Sequence, residues 1–201
     1  MKRKVFDILT SAVGIGLAVL LFIAGGLLTW AHNFIGNEVH KELSAQKIFF
    51  PKEGDQALTS LPANDAAQMK KYAGQQLTTG AQAETYADHF IAVHLNKIGG
   101  GKTYSELSGA LLAMQPTDPG YAAKSAQVDT MFKGETLRGL LLNAYAFGTV
   151  GDIAGIAAIV AYAGGGVLLV LGGLGIWHGA RAKEDDEILA SHKKDKTPVE
   201  A

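Results

Sequence analysis

Two long apolar stretches dominate the hydrophobic pattern of this chain. They cover residues 8–31 and 153–177, and neither contains Asp, Glu, Lys, Arg or His. Because a helix needs about 20 apolar residues to cross the hydrocarbon core of a bilayer, each stretch is long enough to span a membrane. The pattern therefore predicts an all-α membrane protein, in which two transmembrane helices bracket a helical domain formed by residues 32–152.

The bracketed segment shows helical spacing of its own. In residues 82–98, apolar positions recur on one helical face and polar positions fall on the other. The glycines at 99–101 are expected to end this helix, and the Thr103-x-x-Glu106 spacing predicts a capping box that opens the next, which should run to about Met114. A weaker pattern predicts a helix over residues 66–77, and Pro and Gly breakers predict an irregular loop over residues 51–64.

No helix breaker separates Tyr121 from the second apolar stretch. Residues 139–177 contain a single charge, Asp152. A break at the glycines 164–166 would leave too few residues to cross the bilayer a further time, so the pattern predicts one span. Residues 139–152 are then a continuation of the second transmembrane helix into the bracketed domain, and the first is expected to continue likewise through Val39 and Leu43.

The cations indicate an orientation. Lys2, Arg3 and Lys4 precede the first stretch, whereas Arg181 and Lys183 follow the second. By the positive-inside bias, residues 1–7 and 178–201 are predicted to be cytoplasmic and residues 32–152 extracytoplasmic. A cleaved secretory signal fits the first stretch less well, because the stretch exceeds the ~7–15 residues of a signal h-region and no small-x-small cleavage site follows it.

Composition excludes several kinds of site. The chain has no cysteine, which excludes disulfides, thiolate metal sites and iron–sulfur clusters. Between residues 32 and 138 there are ten Lys and Arg against eleven Asp and Glu, a balance that is not typical of a nucleic-acid surface. We therefore expect no cofactor and no nucleic-acid partner.

Two motifs that suggest chemistry do not meet its requirements. The segment at 99–103 is similar to the end of a phosphate-binding loop, but the full motif needs a glycine where Asn96 stands and a strand before the loop, so no nucleotide is expected. His89 and His94 are five residues apart, and a helix displaces them by about 140°, which prevents them from sharing a metal ion. We predict no metal and no catalytic residue, and a hydrogen-bonded core position for His94.

Asp152 and a set of small residues are the candidate functional positions. Ionisable groups close to the hydrocarbon are costly and are often functional; alternatively, Asp152 is hydrated at the headgroup level or paired with Arg138 or a lysine. Small residues let helices approach closely. The candidate packing positions, expected to face Gly14, Ala18 and Gly25 or a helix of another chain, are Gly151, Gly155, Ala157, Ala161, Gly165, Gly172 and Gly175.

Four segments carry a family resemblance: residues 73–80, 87–95, 100–107 and 137–148. They resemble small two-span actinobacterial membrane proteins without an established activity. The resemblance implies an external helical domain between the spans and a location in a bacterial plasma membrane. Members often carry the label of an aromatic-ring-opening dioxygenase, but that chemistry needs iron held by histidine and carboxylate ligands, and the sequence shows no such set.

Two functions remain as expectations. The first is a non-catalytic plasma-membrane protein of the cell envelope, an accessory or assembly subunit or a scaffold, with membrane lipid, other membrane-protein subunits or further copies of itself as partners. The alternative is an extracytoplasmic module that binds a lipid or a small apolar ligand in a cavity lined by residues such as Phe90, Ile91, Leu111 and Phe132. A solid core with exposed apolar surface favours the first, and a large apolar cavity favours the second.

Overall fold

The computed structural model describes residues 3–181, and its regular secondary structure is helical. The helices are α1 (Arg3–Ala45), α2 (Gln56–Thr59), α3 (Ala63–Lys70), α4 (Gly80–Tyr86), a π-helical turn (Ala87–Ile91), α5 (Ala92–Gly99), α6 (Tyr104–Leu112) and α7 (Tyr121–Arg181). Within these described residues, extended pairing is limited to a single β-bridge between Phe49 and Gln76. The predicted all-α class is confirmed. The predicted cytoplasmic tail beyond Arg181 lies outside the described residues.

The two apolar stretches lie in the two longest helices. Lys4–Ala45 and Tyr121–Arg181 are each long and apolar enough to cross a membrane. At about 1.5 Å per residue, α7 with its 61 residues exceeds the thickness of a bilayer core several-fold. As helices, α1 extends past Leu43 and α7 runs without a break from Tyr121 to Arg181.

The chain divides into two compact units. The first consists of residues 3–29 and 155–181 and is called the apolar helix pair below. The second, Trp30–Ala154, is called the helical domain.

Small residues at intervals of seven bring the apolar helix pair together. On α1, Ser11, Ala18 and Gly25 are buried, and on α7 the buried positions include Gly165 and Gly172. A Cβ atom built on Gly172 would lie 3.2 Å from the carbonyl oxygen of Ser11, and one on Gly165 would lie 3.3 Å from that of Ala18. Such spacing keeps one seam of each helix against the other over many turns.

A continuous core fills the helical domain. Its largest fully buried side chains are those of Phe50, Leu58, Met69, Leu77, Leu107 and Met131. Around Phe50, aromatic rings follow one another with centroid distances of 5.3 Å to Tyr86, then 4.8 Å from Tyr86 to Phe90. Burial raises the pKa of the Tyr86 phenol above its ordinary value.

The amphipathic helix predicted over residues 82–98 is found between Gly80 and Gly99, with a π-helical turn in its middle. Residues 83, 87, 91, 95 and 99 are all buried. On an α-helix, residues four apart are rotated by about 40° relative to each other, so a row of them winds around the helix. The π-helical turn has more residues per turn and offsets part of this rotation. The helix ends where predicted, because Gly100 adopts the left-handed conformation with φ +59°.

Two other local predictions need correction or adjustment. The helix predicted over residues 66–77 is wrong in its second half, since α3 ends at Lys70 and Gly74 takes a φ of +72°. The following residues are extended because the backbone N–H of Leu77 donates to Ile48 O at 2.9 Å. The Thr103–Glu106 capping box is confirmed, although α6 ends at Leu112 rather than Met114.

Candidate functional site

A cleft of about 540 Å³, called the polar cleft below after the polar side chains that line it, lies in the helical domain. Three parts of the chain line it: α1, the loop that leads into α4, and α7. The polar side chains among its lining residues are those of His32, Asn37, His40, Thr78, Thr79, Tyr145, Thr149 and Asp152.

Because Gly80 has no side chain, the start of α4 can lie close to α7 at this cleft. A Cβ atom on Gly80 would lie 3.2 Å from the Cα atom of Tyr145 and 3.3 Å from the carbonyl oxygen of Ala144. Because both neighbours are backbone atoms, neither can rotate away. Gly80 therefore sets how closely the start of α4 packs on α7, opposite Gly148.

The buried Gln82 side chain holds the same loop. Its Oε1 accepts hydrogen bonds from the backbone N–H groups of Thr78 at 2.7 Å and Thr79 at 3.1 Å. The Thr79 hydroxyl in turn accepts from the Gln82 N–H, which completes a capping box. The Thr79-x-x-Gln82 spacing is the signal in the sequence that identifies this capping box.

His32 connects α1 to α7 at the edge of the cleft. Its Nδ1 donates a hydrogen bond of 2.7 Å to the carbonyl oxygen of Gly151, and a Cβ atom on Gly151 would lie 3.1 Å from Ile35 Cγ2. Gly151 is thus a point of close approach within the helical domain. Asp152 follows it directly and lines the cleft.

Three exposed polar side chains of the cleft are unpartnered within residues 3–181. The side chains of Asn37, His40 and Asp152 are exposed, and none forms a hydrogen bond or an ion pair there. Arg138 does not pair with Asp152, as one alternative had it; its Nη2 lies 2.8 Å from Asp88 Oδ1 instead. The carboxylate of Asp152 is therefore available to a ligand.

The other sequence-predicted positions of α7 lie in the apolar helix pair. Ala161, Gly165 and Gly172 are buried. A Cβ atom on Gly175 would overlap Ser11 Oγ, so Gly175 also faces α1. Gly155 and Ala157 are half-buried, whereas the neighbouring Ala154 and Ala158, which the sequence analysis did not single out, are buried.

Two histidines of the helical domain, His89 and His94, form hydrogen bonds within it. His89 donates through Nδ1 to Asp65 at 2.7 Å, and His94 donates through Nδ1 to Phe90 O at 2.7 Å. His94 is half-buried rather than a core residue. Within the described residues, no group of three or more His, Cys, Asp or Glu side chains could hold a metal ion.

An apolar groove of about 550 Å³ forms a second concave surface of the helical domain. Its large apolar side chains are those of Phe34, Ile35, Val39 and Leu43 on α1 and of Leu140, Phe147 and Val150 on α7. Glu38 and Glu42 also line it, and the described lining residues include no Lys or Arg.

A smaller pocket of about 320 Å³ includes two residues of the expected apolar cavity, Phe90 and Ile91. The other two residues lie elsewhere. Leu111 packs against the core, and the half-exposed Phe132 packs on Tyr104 with a centroid distance of 5.7 Å. This pocket therefore contains two of the four residues expected to line the cavity.

Comparison with known proteins adds no relative to this picture. No protein-family model, no curated protein and no solved structure matches the chain. The family suggested by residues 73–80, 87–95, 100–107 and 137–148 stays a prediction.

Proposed function

We propose that this chain is a non-catalytic integral membrane protein that serves as an accessory or assembly subunit of a larger complex in the bacterial cell envelope. The apolar groove carries the proposal, and its occupant is an apolar helix of a partner subunit. The proposal includes an extracytoplasmic helical domain and cytoplasmic termini, which the positions of the cations favour.

The exposed side chains of the groove support a helical partner. Leu140, Phe147 and Val150 are spaced by seven and three residues, so they follow one face of α7. Leu140 is 61 % exposed and Phe147 is 56 % exposed, while the core of the domain is complete without them. A contiguous apolar patch of this kind is typical of a surface that another chain covers.

The shape of the groove supports the same occupant. Two helices, α1 and α7, form its walls, and a helix laid between two helices packs its side chains into the grooves between theirs.

The charge of the groove specifies the partner further. Glu38 and Glu42 line it, and the lining residues described contain no cation to oppose them. Both carboxylates are exposed. Lys41, which does not line the groove, lies 3.6 Å from Glu38 and 3.9 Å from Glu42 and is itself exposed. A partner helix with an apolar face and Lys or Arg beside it complements this surface.

Gentle detergent extraction of a tagged full-length chain from its native membrane tests the proposal. Native mass measurement and identification of co-purifying chains should show a foreign subunit at fixed stoichiometry. We expect Phe147→Asp to lose that subunit. Phe132→Asp, which changes a side chain of similar exposure (54 %) outside the groove, should retain it.

The second candidate function is a binding module for a lipid or a small apolar ligand. The pocket beside Phe90 and Ile91 favours it, because its lining is largely apolar. A chain that extracts alone, as a monomer or homo-oligomer with bound lipid, contradicts the subunit proposal and favours this module.

A further inference from the structure

We propose that the polar cleft binds the primary ammonium group of an aminophospholipid headgroup. This inference rests on the membrane placement in the proposed function, but not on the partner subunit. The polar cleft and the apolar groove share Val39 as a lining residue and otherwise use different side chains.

The charge of the cleft selects a cation. Asp152 is the only Asp or Glu among the described lining residues, and those residues include no Lys or Arg. A phosphate alone would meet a carboxylate with no fixed positive charge to offset it, whereas an ammonium group is attracted.

Hydrogen-bond acceptors in the cleft favour an ammonium that carries hydrogens. His32 uses its Nδ1 hydrogen on the carbonyl oxygen of Gly151, which makes Nε2 the acceptor atom of the corresponding neutral tautomer. The Asp152 carboxylate and the side-chain carbonyl of Asn37 add further acceptors without partners in the described residues. A primary ammonium offers three N–H donors, which a quaternary ammonium lacks.

The positions of the lining residues along their helices favour a lipid over a soluble amine. His32 directly follows the first apolar stretch on α1, and Asp152 directly precedes the second on α7. At about 1.5 Å per residue, both lie at headgroup level when the stretches span the bilayer. A volume of about 540 Å³ accommodates a small headgroup.

Native mass measurement of the full-length protein in mild detergent tests this assignment. The probes are phosphatidylethanolamine, phosphatidylcholine and phosphatidylglycerol at equal concentration. The wild-type chain should retain phosphatidylethanolamine at least tenfold more than either other lipid. Asp152→Asn should reduce that retention to the phosphatidylcholine level.

The matched control is Asp129→Asn, which removes an exposed carboxylate that pairs with Lys133 at 2.6 Å outside the cleft. This variant should keep the wild-type preference. Equal retention of the three lipids, or an unchanged preference in Asp152→Asn, overturns the proposal. Displacement of the lipid by an equal concentration of free ethanolamine phosphate overturns the assignment to a lipid.

Flotation with vesicles separates this inference from the membrane placement. A chain that floats but retains the three lipids equally keeps its membrane placement and loses the headgroup site. A chain that does not float contradicts both the membrane placement and the headgroup site.

Discussion

His32 Nδ1 lies 2.7 Å from the carbonyl oxygen of Gly151 and donates its hydrogen to that oxygen. Gly151 is in an α-helix, where its carbonyl oxygen also has an intrahelical donor, so His32 adds a bond between two helices. The close approach at Ile35, where a Cβ atom on Gly151 would lie 3.1 Å from Cγ2, makes this bond possible. This contact sets the distance between α1 and α7 at the edge of the polar cleft.

Replacement of His32 should therefore weaken the helical domain. We expect His32→Leu to lower the free energy of unfolding by about 1 kcal/mol, the usual net value of one hydrogen bond. Unfolding in mixed detergent micelles, followed by circular dichroism, measures the change. The control is His40→Leu, because His40 lines the same cleft without a hydrogen-bond partner in residues 3–181. Equal losses in both variants would contradict the prediction.

Adjacent glycines of the apolar helix pair should respond oppositely to alanine. A Cβ atom on Gly172 would lie 2.7 Å from Ile15 Cγ1 and 3.2 Å from Ser11 O, whereas one on Gly173 would meet nothing within 4 Å. We expect Gly172→Ala to destabilise the protein by about 1–3 kcal/mol through overpacking. Gly173→Ala should be neutral or should stabilise by about 0.5–1 kcal/mol, since alanine favours helix. Thermal unfolding in detergent compares the stability of the two variants. Similar effects would contradict the close packing of Gly172 against α1.

Gly80, at the polar cleft, should not tolerate a larger residue. Gly80→Ala places a methyl group against the backbone of Tyr145 and Ala144, so we expect a loss of about 1–3 kcal/mol. Gly109→Ala in α6 is the control, because a Cβ atom there meets nothing within 4 Å. Chemical unfolding of both variants measures the difference. A Gly80→Ala chain as stable as Gly109→Ala would show that the start of α4 does not pack on α7 as described.

Glu106 should make part of the stability depend on pH. The hydrogen bond from the Thr103 backbone N–H, then that from its hydroxyl, and the charge of Lys102 lower the pKa of the Glu106 carboxyl below its ordinary value. A lowered folded-state pKa gives stability that is present above the unfolded pKa and is lost as pH falls through the folded one.

Glu106→Gln is the matched variant, since the amide oxygen keeps the capping geometry but does not ionise. We expect its melting temperature to lie below that of the wild-type chain at pH 7, and the difference to shrink with acidification. The other carboxylates are common to both chains and cancel in the comparison. A difference that is constant with pH would contradict the prediction.

Much of the fold followed from hydrophobic spacing and local caps. The two apolar stretches, the helix up to Gly99 and the Thr103 capping box depend on residues close in sequence, so a single sequence reveals them. The second half of the helix predicted over residues 66–77 failed because Leu77 bonds to Ile48 across the domain. The π-helical turn at Ala87–Ile91 was missed because it arises from burying every fourth residue against several partners.

The candidate sites were less accessible to sequence reasoning. Asp152 was singled out because it is a lone charge beside an apolar stretch. Its neighbours in the cleft, His32, Asn37 and Thr79, come from segments that only the tertiary fold brings together. The apolar groove was hidden for a related reason, since its residues on α1 and α7 show the same periodicity as a buried face.

The membrane topology is the most direct test of the central claim. Because the chain has no cysteine, single cysteines can be introduced as reporters without a background. Thr117→Cys, between α6 and α7, and Ser191→Cys, in the predicted cytoplasmic tail, are treated in intact cells with a membrane-impermeant maleimide. We predict labelling of Thr117→Cys in intact cells and of Ser191→Cys only after permeabilisation. Labelling of both positions in intact cells, or the reverse pattern, would contradict a twice-spanning chain with an extracytoplasmic helical domain.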